Sequence, residues 1–300
     1  MSPTNSAHRG TVLVTGATDG LGRAAALLLA ERGYRVFAAG RSPERRAALD
    51  QIARERTLPL EALELDVCDD TSVNACVSEI ERRAGPVDIL INNAGIAIAA
   101  VIEEITLADL RKQYETNIFG VLRATQRVLP LMRQRRRGRI INMSSIAGKV
   151  AIPIMGPYAS SKHALEALSD ALRLELFPFG VYVVLIEPGV IRTSMNRTAE
   201  GLSMAYVQGA ERSPYAGVYR GFRSSWDIAT KTASDTPEDC ARVILRAIEE
   251  TPPRARYLVT REAKLTALMR RLMPDRMFDG GIKKRLGLEE LNRSSQEESS

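Results

Sequence analysis

Short runs of uncharged, often β-branched residues recur along the chain, and longer stretches separate them. TVLVTG (11–16) predicts a buried strand ended by glycine. Residues 22–31, rich in Ala and Leu and followed by Gly33, predict the first helix. YRVFAAG (34–40) and LEALELD (60–66) predict two more strands, and VDILINNAG (87–95), entered through Gly85-Pro86, a fourth. A long helix is expected over about 108–135, begun near Thr106. GRIINMSS (138–145) and VYVVLIEPG (181–189) predict a fifth and sixth strand around a helix beginning near Tyr158, and YLVT (257–260) one more.

Strands alternating with helical stretches are βαβ units, which build a parallel sheet covered on both faces. With right-handed crossovers the expected fold class is α/β: a single doubly wound Rossmann-like sheet. The expected organisation is a flexible leader (1–9), a nucleotide-binding catalytic domain (10–262), a basic amphipathic segment (263–290) and a disordered tail (291–300). Within the domain, 192–235 is rich in Ser, Arg, Gly and Tyr without clear periodicity, which predicts a loop or lid over a substrate.

Composition narrows the function classes. No stretch of roughly 18 uncharged apolar residues exists to span a membrane, and the first residues have no apolar signal core. Cys68, Cys76 and Cys240 have no metal-ligand spacing, and only His8 and His163 could join them, so no metal is expected and a reducing, cytoplasmic compartment is. Lys and Arg number 42 against 36 acidic residues. The densest basic run, RQRRRGR (133–139), lacks interleaved aromatics and reads as a solvated helix end rather than a nucleic-acid patch.

Gly16, Gly20 and Gly22 lie in the turn between the first strand and first helix, around Thr18, Asp19 and Leu21. Such a turn lets the backbone approach a pyrophosphate that the helix N-terminus attracts. At the end of the second strand, a carboxylate would hold the ribose 2′-hydroxyl of NAD; Gly40 supplies none, and Arg41 supplies a guanidinium suited to a 2′-phosphate. The expected cofactor is NADP, with NAD as the alternative. Tyr158 and Lys162, four apart, share one helix face. A nearby ammonium favours the phenolate and lowers the tyrosine pKa, which suits Tyr158 to acid/base work on a carbonyl or alcohol.

Taken in order, the glycine turn, Asn92-Asn93-Ala94-Gly95, Asn117, Asn142-Met143-Ser144-Ser145, Tyr158-x-x-x-Lys162 and Pro188-Gly189 resemble the short-chain dehydrogenase/reductase family over about residues 10–195. The resemblance implies that Ser145 positions the substrate oxygen and that Asn117 holds a water connecting Lys162 to solvent. It implies that Asp66 and Val67 face the adenine, and that Asn93, Ala94 and Gly95 flank the adenine ribose and the nicotinamide side. Past Pro188 and Gly189, the backbone at Ile191 would hold the carboxamide and Thr193 would reach the phosphates. The resemblance also implies a homodimer or homotetramer, the usual state of such relatives. From 236 onward the chain is similar to members acting on lipophilic carbonyls, such as hydroxysteroid and retinol dehydrogenases.

Met195, Met204, Tyr206, Tyr215, Tyr219, Phe222 and Trp226 are the expected apolar and aromatic cover for a lipophilic substrate. The segment 263–286 could lie on an anionic membrane surface, although such a segment more often caps a cleft or a subunit contact. The expected activity is carbonyl–alcohol interconversion. The alternatives are a non-catalytic nucleotide sensor on the same fold, or a nucleotide-sugar epimerase or dehydratase.

Overall fold

A computed structural model of the chain describes residues 8–192, 194–289 and 291. Seven strands, β1 (Thr11–Thr15), β2 (Arg35–Gly40), β3 (Leu60–Glu64), β4 (Ile89–Asn92), β5 (Gly138–Met143), β6 (Val181–Glu187) and β7 (Arg256–Leu258), form one sheet. Their order is β3-β2-β1-β4-β5-β6-β7, and every neighbouring pair is parallel. Val14 on β1 pairs with Ala38 on one side and Ile91 on the other. The chain reverses direction across the sheet between β1 and β4, which opens a crevice at their carboxyl ends.

The helices are α1 (Gly20–Glu31), α2 (Pro43–Glu55), α3 (Asp70–Ala84), α4 (Leu107–Tyr114), α5 (Gly120–Gln134), α6 (Gly156–Leu176), α7 (Ser194–Gly209), α8 (Ala216–Thr232), α9 (Pro237–Glu249), α10 (Arg261–Leu272) and α11 (Asp275–Arg285). Alternate residues of the buried strands feed two cores. Val12, Val14 and Ile91 pack with Leu29, Ile244 and Ile248 from α1 and α9. Leu13, Phe37 and Leu90 pack with Val77, Val128 and Met132 from α3 and α5.

The long helix expected over 108–135 is interrupted by a π turn, Glu115–Phe119, between α4 and α5. The unpatterned stretch 192–235 is not a loop: it holds α7 and α8. Hydroxyl anchors help to hold these two helices down. Ala99 N–H donates to Ser203 Oγ (2.8 Å) and Tyr206 donates to Asp109 (2.5 Å). Tyr219 donates to Glu104 (2.7 Å), and Tyr215 donates to Glu103. Those tyrosines fasten a helical roof to the segment after β4.

Of the basic run 133–139, Arg133, Arg135, Arg136 and Arg137 are exposed, as a solvated helix end would be, while making contacts within the chain. Arg135 reaches Asp88 (3.0 Å), Arg136 donates to Pro178 O (2.6 Å), and Arg133 lies over the Phe179 ring. Arg139 is buried and donates to the carbonyls of Ala247, Ile248 and Glu250 at the end of α9. Among the described residues no helix is long and apolar enough to cross a membrane.

Candidate active site

The glycine turn is built by close backbone packing. Gly16 sits at φ +63°, and a side chain there would also stand 2.8 Å from Ala94 Cα. A Cβ on Gly22 would stand 2.7 Å from Gly16 O. Asn93 closes this corner: its Nδ2 donates to Thr15 O (2.9 Å) and Gly16 O (3.0 Å), while Thr15 Oγ1 accepts from the N–H groups of Asn93 and Ala94 (3.0 Å each). The Asn93 side chain therefore fastens the ends of β1 and β4 to each other, and any ligand contact there falls to the backbone. Asp19 caps α1 through Gly20 N–H (2.7 Å), leaving the next N–H groups of the first turn without intrahelical partners, an anion-binding arrangement.

The far end of the crevice carries two guanidinium groups. Arg41 lies 3.8 Å from Asp66, and Arg45 pairs with Asp19 at 3.1 Å. Both side chains are more than half exposed. Arg45 escaped the sequence reading because its place depends on Ser42, which caps α2 by accepting from Arg45 N–H (3.2 Å) and so turns this helix end toward α1. Asp66 Oδ1 accepts from Cys68 N–H (3.0 Å), and Val67 is buried beside Gly120.

Tyr158, Ser145 and Lys162 come together where β5 meets α6. Ser145 leaves β5 in an extended conformation, and its Oγ accepts from Ala147 N–H (3.1 Å). Its hydroxyl is the polar neighbour that favours the Tyr158 phenolate. Ser144 Oγ, by contrast, is buried with no hydrogen-bond partner among the described residues. Lys162 lies 5.7 Å from the Tyr158 ring centroid and donates to Met143 O (2.7 Å). Burial pushes the Tyr158 phenol up to about 12, against the pull of Ser145. Burial also brings the Lys162 ammonium down to about 8, with Glu166 opposing. In the protein alone the phenol is therefore held protonated, because desolvation outweighs the Ser145 hydrogen bond.

Asn117 is fully buried in the π turn. Its Oδ1 accepts from Ile96 N–H (2.9 Å), and its Nδ2 donates to Ile96 O (2.9 Å) and Ser161 Oγ (3.0 Å). Its amide is therefore taken up by protein groups and ties the segment after β4 to α6. Asn117→Ala strands the Ile96 backbone groups and is expected to lower stability by about 1–3 kcal/mol; an unchanged melting temperature would contradict that role.

Past β6, Pro188 O accepts from Ile146 N–H (2.9 Å), Gly189 packs on Thr260 and Ala263, and Ile191 is buried. Thr193 and the Met195 side chain lie outside the described residues. One turn beyond Lys162 is a group no motif revealed. Glu166 and Glu187 share two cations: Lys149 Nζ is 3.0 Å from Glu166 and 3.2 Å from Glu187, and Arg256 Nε is 2.9 Å and 3.3 Å from the same two. Arg256 also reaches Asp170 at 2.6 Å. Burial, with Glu166 as a like-charged neighbour, raises Glu187 to about 7 against the pull of Lys149 and Arg256.

A doubly wound parallel sheet with a glycine turn at its switch point defines a nucleotide-binding α/β protein. The family model described as short chain dehydrogenase matches residues 10–201, and the chain belongs to that family of oxidoreductases. It is 37% identical over 276 residues to the uncharacterized oxidoreductase YusZ of Bacillus subtilis, covering 91% of this chain and 97% of that one. It is 34% identical over 270 residues to human retinol dehydrogenase 8, covering 86% and 84%. A short-chain dehydrogenase from Streptomyces avermitilis superposes with a TM-score of 0.73 at 28% identity, covering 95% and 98%.

Proposed function

We propose that the chain interconverts a lipophilic carbonyl and its alcohol with NADP(H), Tyr158 serving as acid/base. The observation that carries this reading is the meeting of buried Tyr158 and Lys162 with half-buried Ser145 beside the switch-point crevice. The residues present fit a nicotinamide dinucleotide. The glycine turn packs too closely for side chains, the α1 N-terminus offers free N–H groups, and Arg41 and Arg45 flank the end where an adenosine 2′-phosphate would lie. The likeness to a retinol dehydrogenase supports a lipophilic substrate, and the free cysteines Cys68, Cys76 and Cys240 are compatible with a reducing, cytoplasmic compartment.

When bound, the nicotinamide supplies or accepts the hydride. Ser145 donates to the substrate oxygen and fixes its place beside the phenol. Tyr158, held protonated by burial, gives its proton to that oxygen in carbonyl reduction, and takes a proton back in alcohol oxidation. Lys162, anchored on Met143 O, holds positive charge next to the ring and steadies the phenolate once it forms. A phenol held protonated near neutrality is ready to donate in carbonyl reduction, and alcohol oxidation, which needs the phenolate, is expected to speed up as pH rises.

Fluorescence titration of the purified protein with NADPH and NADH tests the cofactor. Arg41→Ala and Arg45→Ala are each expected to weaken NADPH binding about tenfold, as for loss of one charge-assisted hydrogen bond, and to leave NADH unchanged. Equal losses for both cofactors would remove the 2′-phosphate from the assignment.

A further inference from the structure

Nearly all of the excess positive charge of this chain is gathered on one short segment. Eight of its 42 basic residues and three of its 36 acidic residues fall within 261–285, so this stretch has a net charge of +5 against +6 for the whole chain. Among the described residues, Lys264, Arg271, Arg276, Lys283, Lys284 and Arg285 make no ion pair, whereas arginines elsewhere are widely paired, as at Arg35, Arg83, Arg123 and Arg127.

The same segment exposes apolar side chains in a helical pattern. Leu265, Leu268, Met269 and Leu272 stand at positions i, i+3, i+4 and i+7 of α10 and are between 40% and 71% exposed; Met277 on α11 is 61% exposed. These helices are not loosely attached. The opposite side of α10 buries Ala263 against Gly189, and α11 is tied to α8 through Leu286, packed on Gly221, and through Ser225 Oγ, which donates to Arg285 O (3.0 Å). A stripe facing water on well-seated helices is a surface built to meet something.

We propose that α10 and α11 seat this enzyme on an anionic lipid bilayer, with the leucine–methionine stripe entering the interface and the unpaired cations meeting the headgroups. A basic face carrying an apolar stripe is the pattern of helices that lie in the plane of a membrane. A second copy of this chain is the poorer occupant, since a two-fold contact through this face would oppose one cluster of positive charge to another. The placement also carries a consequence that rests on the function proposed above. Thr260 and Ala263, on the side of α10 away from the stripe, pack on Gly189 beside the site, so docking would bring a lipophilic substrate's site within one helix of the bilayer.

The test is flotation of the full-length protein with vesicles of phosphatidylcholine alone or of phosphatidylcholine with phosphatidylserine. Expected is binding to the anionic vesicles at least about tenfold tighter than to the neutral ones, weakening as salt is raised. A Leu268→Ser/Leu272→Ser variant and, separately, a Lys283→Ala/Lys284→Ala/Arg285→Ala variant should each lose that binding about tenfold or more. Both should keep wild-type NADPH titrations and melting temperatures, because the replaced side chains are exposed and outside the site. Absence of wild-type binding to anionic vesicles, equal binding to both compositions, or variants that bind like wild type would overturn the proposal. So would a fall in oligomeric mass of the leucine variant in size-exclusion chromatography with light scattering, which would make the face a contact between copies. Failure of wild type to bind NADPH would instead strike the proposed activity and leave the vesicle result standing.

Discussion

Tyr158→Phe is expected to lower turnover by about a thousandfold, within the range for loss of a positioned acid/base, while NADPH binding stays close to wild type. The substitution removes one hydroxyl from a buried ring and keeps its packing, so the effect isolates the proton. Steady-state kinetics on a lipophilic ketone, run beside a cofactor titration, separate the two quantities. A variant that retained turnover within a few-fold would show that the proton comes from elsewhere, and the Tyr158 assignment would fall. Ser145→Ala should act on the same step more mildly, since it removes an orienting donor and leaves the acid in place.

The second large effect concerns stability. Arg256→Met removes a guanidinium shared by Glu166, Glu187 and Asp170, leaving Lys149 as the remaining cation that reaches both glutamates. Glu166 and Glu187 are almost completely buried. Removing one partner of such a group typically costs about 3–5 kcal/mol, so the melting temperature should drop by several degrees. Proton uptake by Glu187 would blunt the loss at low pH. In the wild type an ordinary glutamate ionises near 4.5, whereas Glu187 stays protonated in the folded chain to about 7, so folding takes up a proton between those values. This contribution is complete below about 4.5 and is lost as pH rises through about 7. Glu187→Gln keeps the shape and should flatten the stability profile across that window. Unfolding curves of both proteins at pH 5 and pH 8 measure it, and parallel profiles would show that Glu187 does not titrate there.

The sheet was legible because its strands are buried on both faces and therefore appear as continuous apolar runs such as Val12-Leu13-Val14 and Ile140-Ile141. The candidate site was legible where chemistry needs neighbours in sequence: the glycine turn, and Tyr158 with Lys162 on one helix face. Elsewhere the signal was tertiary. The helices α7 and α8 are fastened by tyrosine hydroxyls to carboxylates about a hundred positions earlier, and no periodicity records such a bond. Arg45 looked like one arginine among several until the Ser42 cap aimed it at Asp19. Lys149, Glu166, Glu187 and Arg256 come from four separate parts of the chain, and only the fold brings their charges together.

The π turn between α4 and α5 makes this part of the molecule sensitive to length rather than to composition. It holds an extra residue in the helix; just before it Gln113 Oε1 accepts from Ile98 N–H (2.7 Å), and within it Asn117 grips Ile96. Two amide side chains thus do for the segment after β4 what a neighbouring strand would otherwise do. Deleting one residue other than Asn117 within 115–119 would restore a regular α-helix and swing α4 about 100° around the axis of α5. One of the two amides would then face away from its backbone partner, and the floor of the crevice would come loose although every residue of the catalytic set was still present.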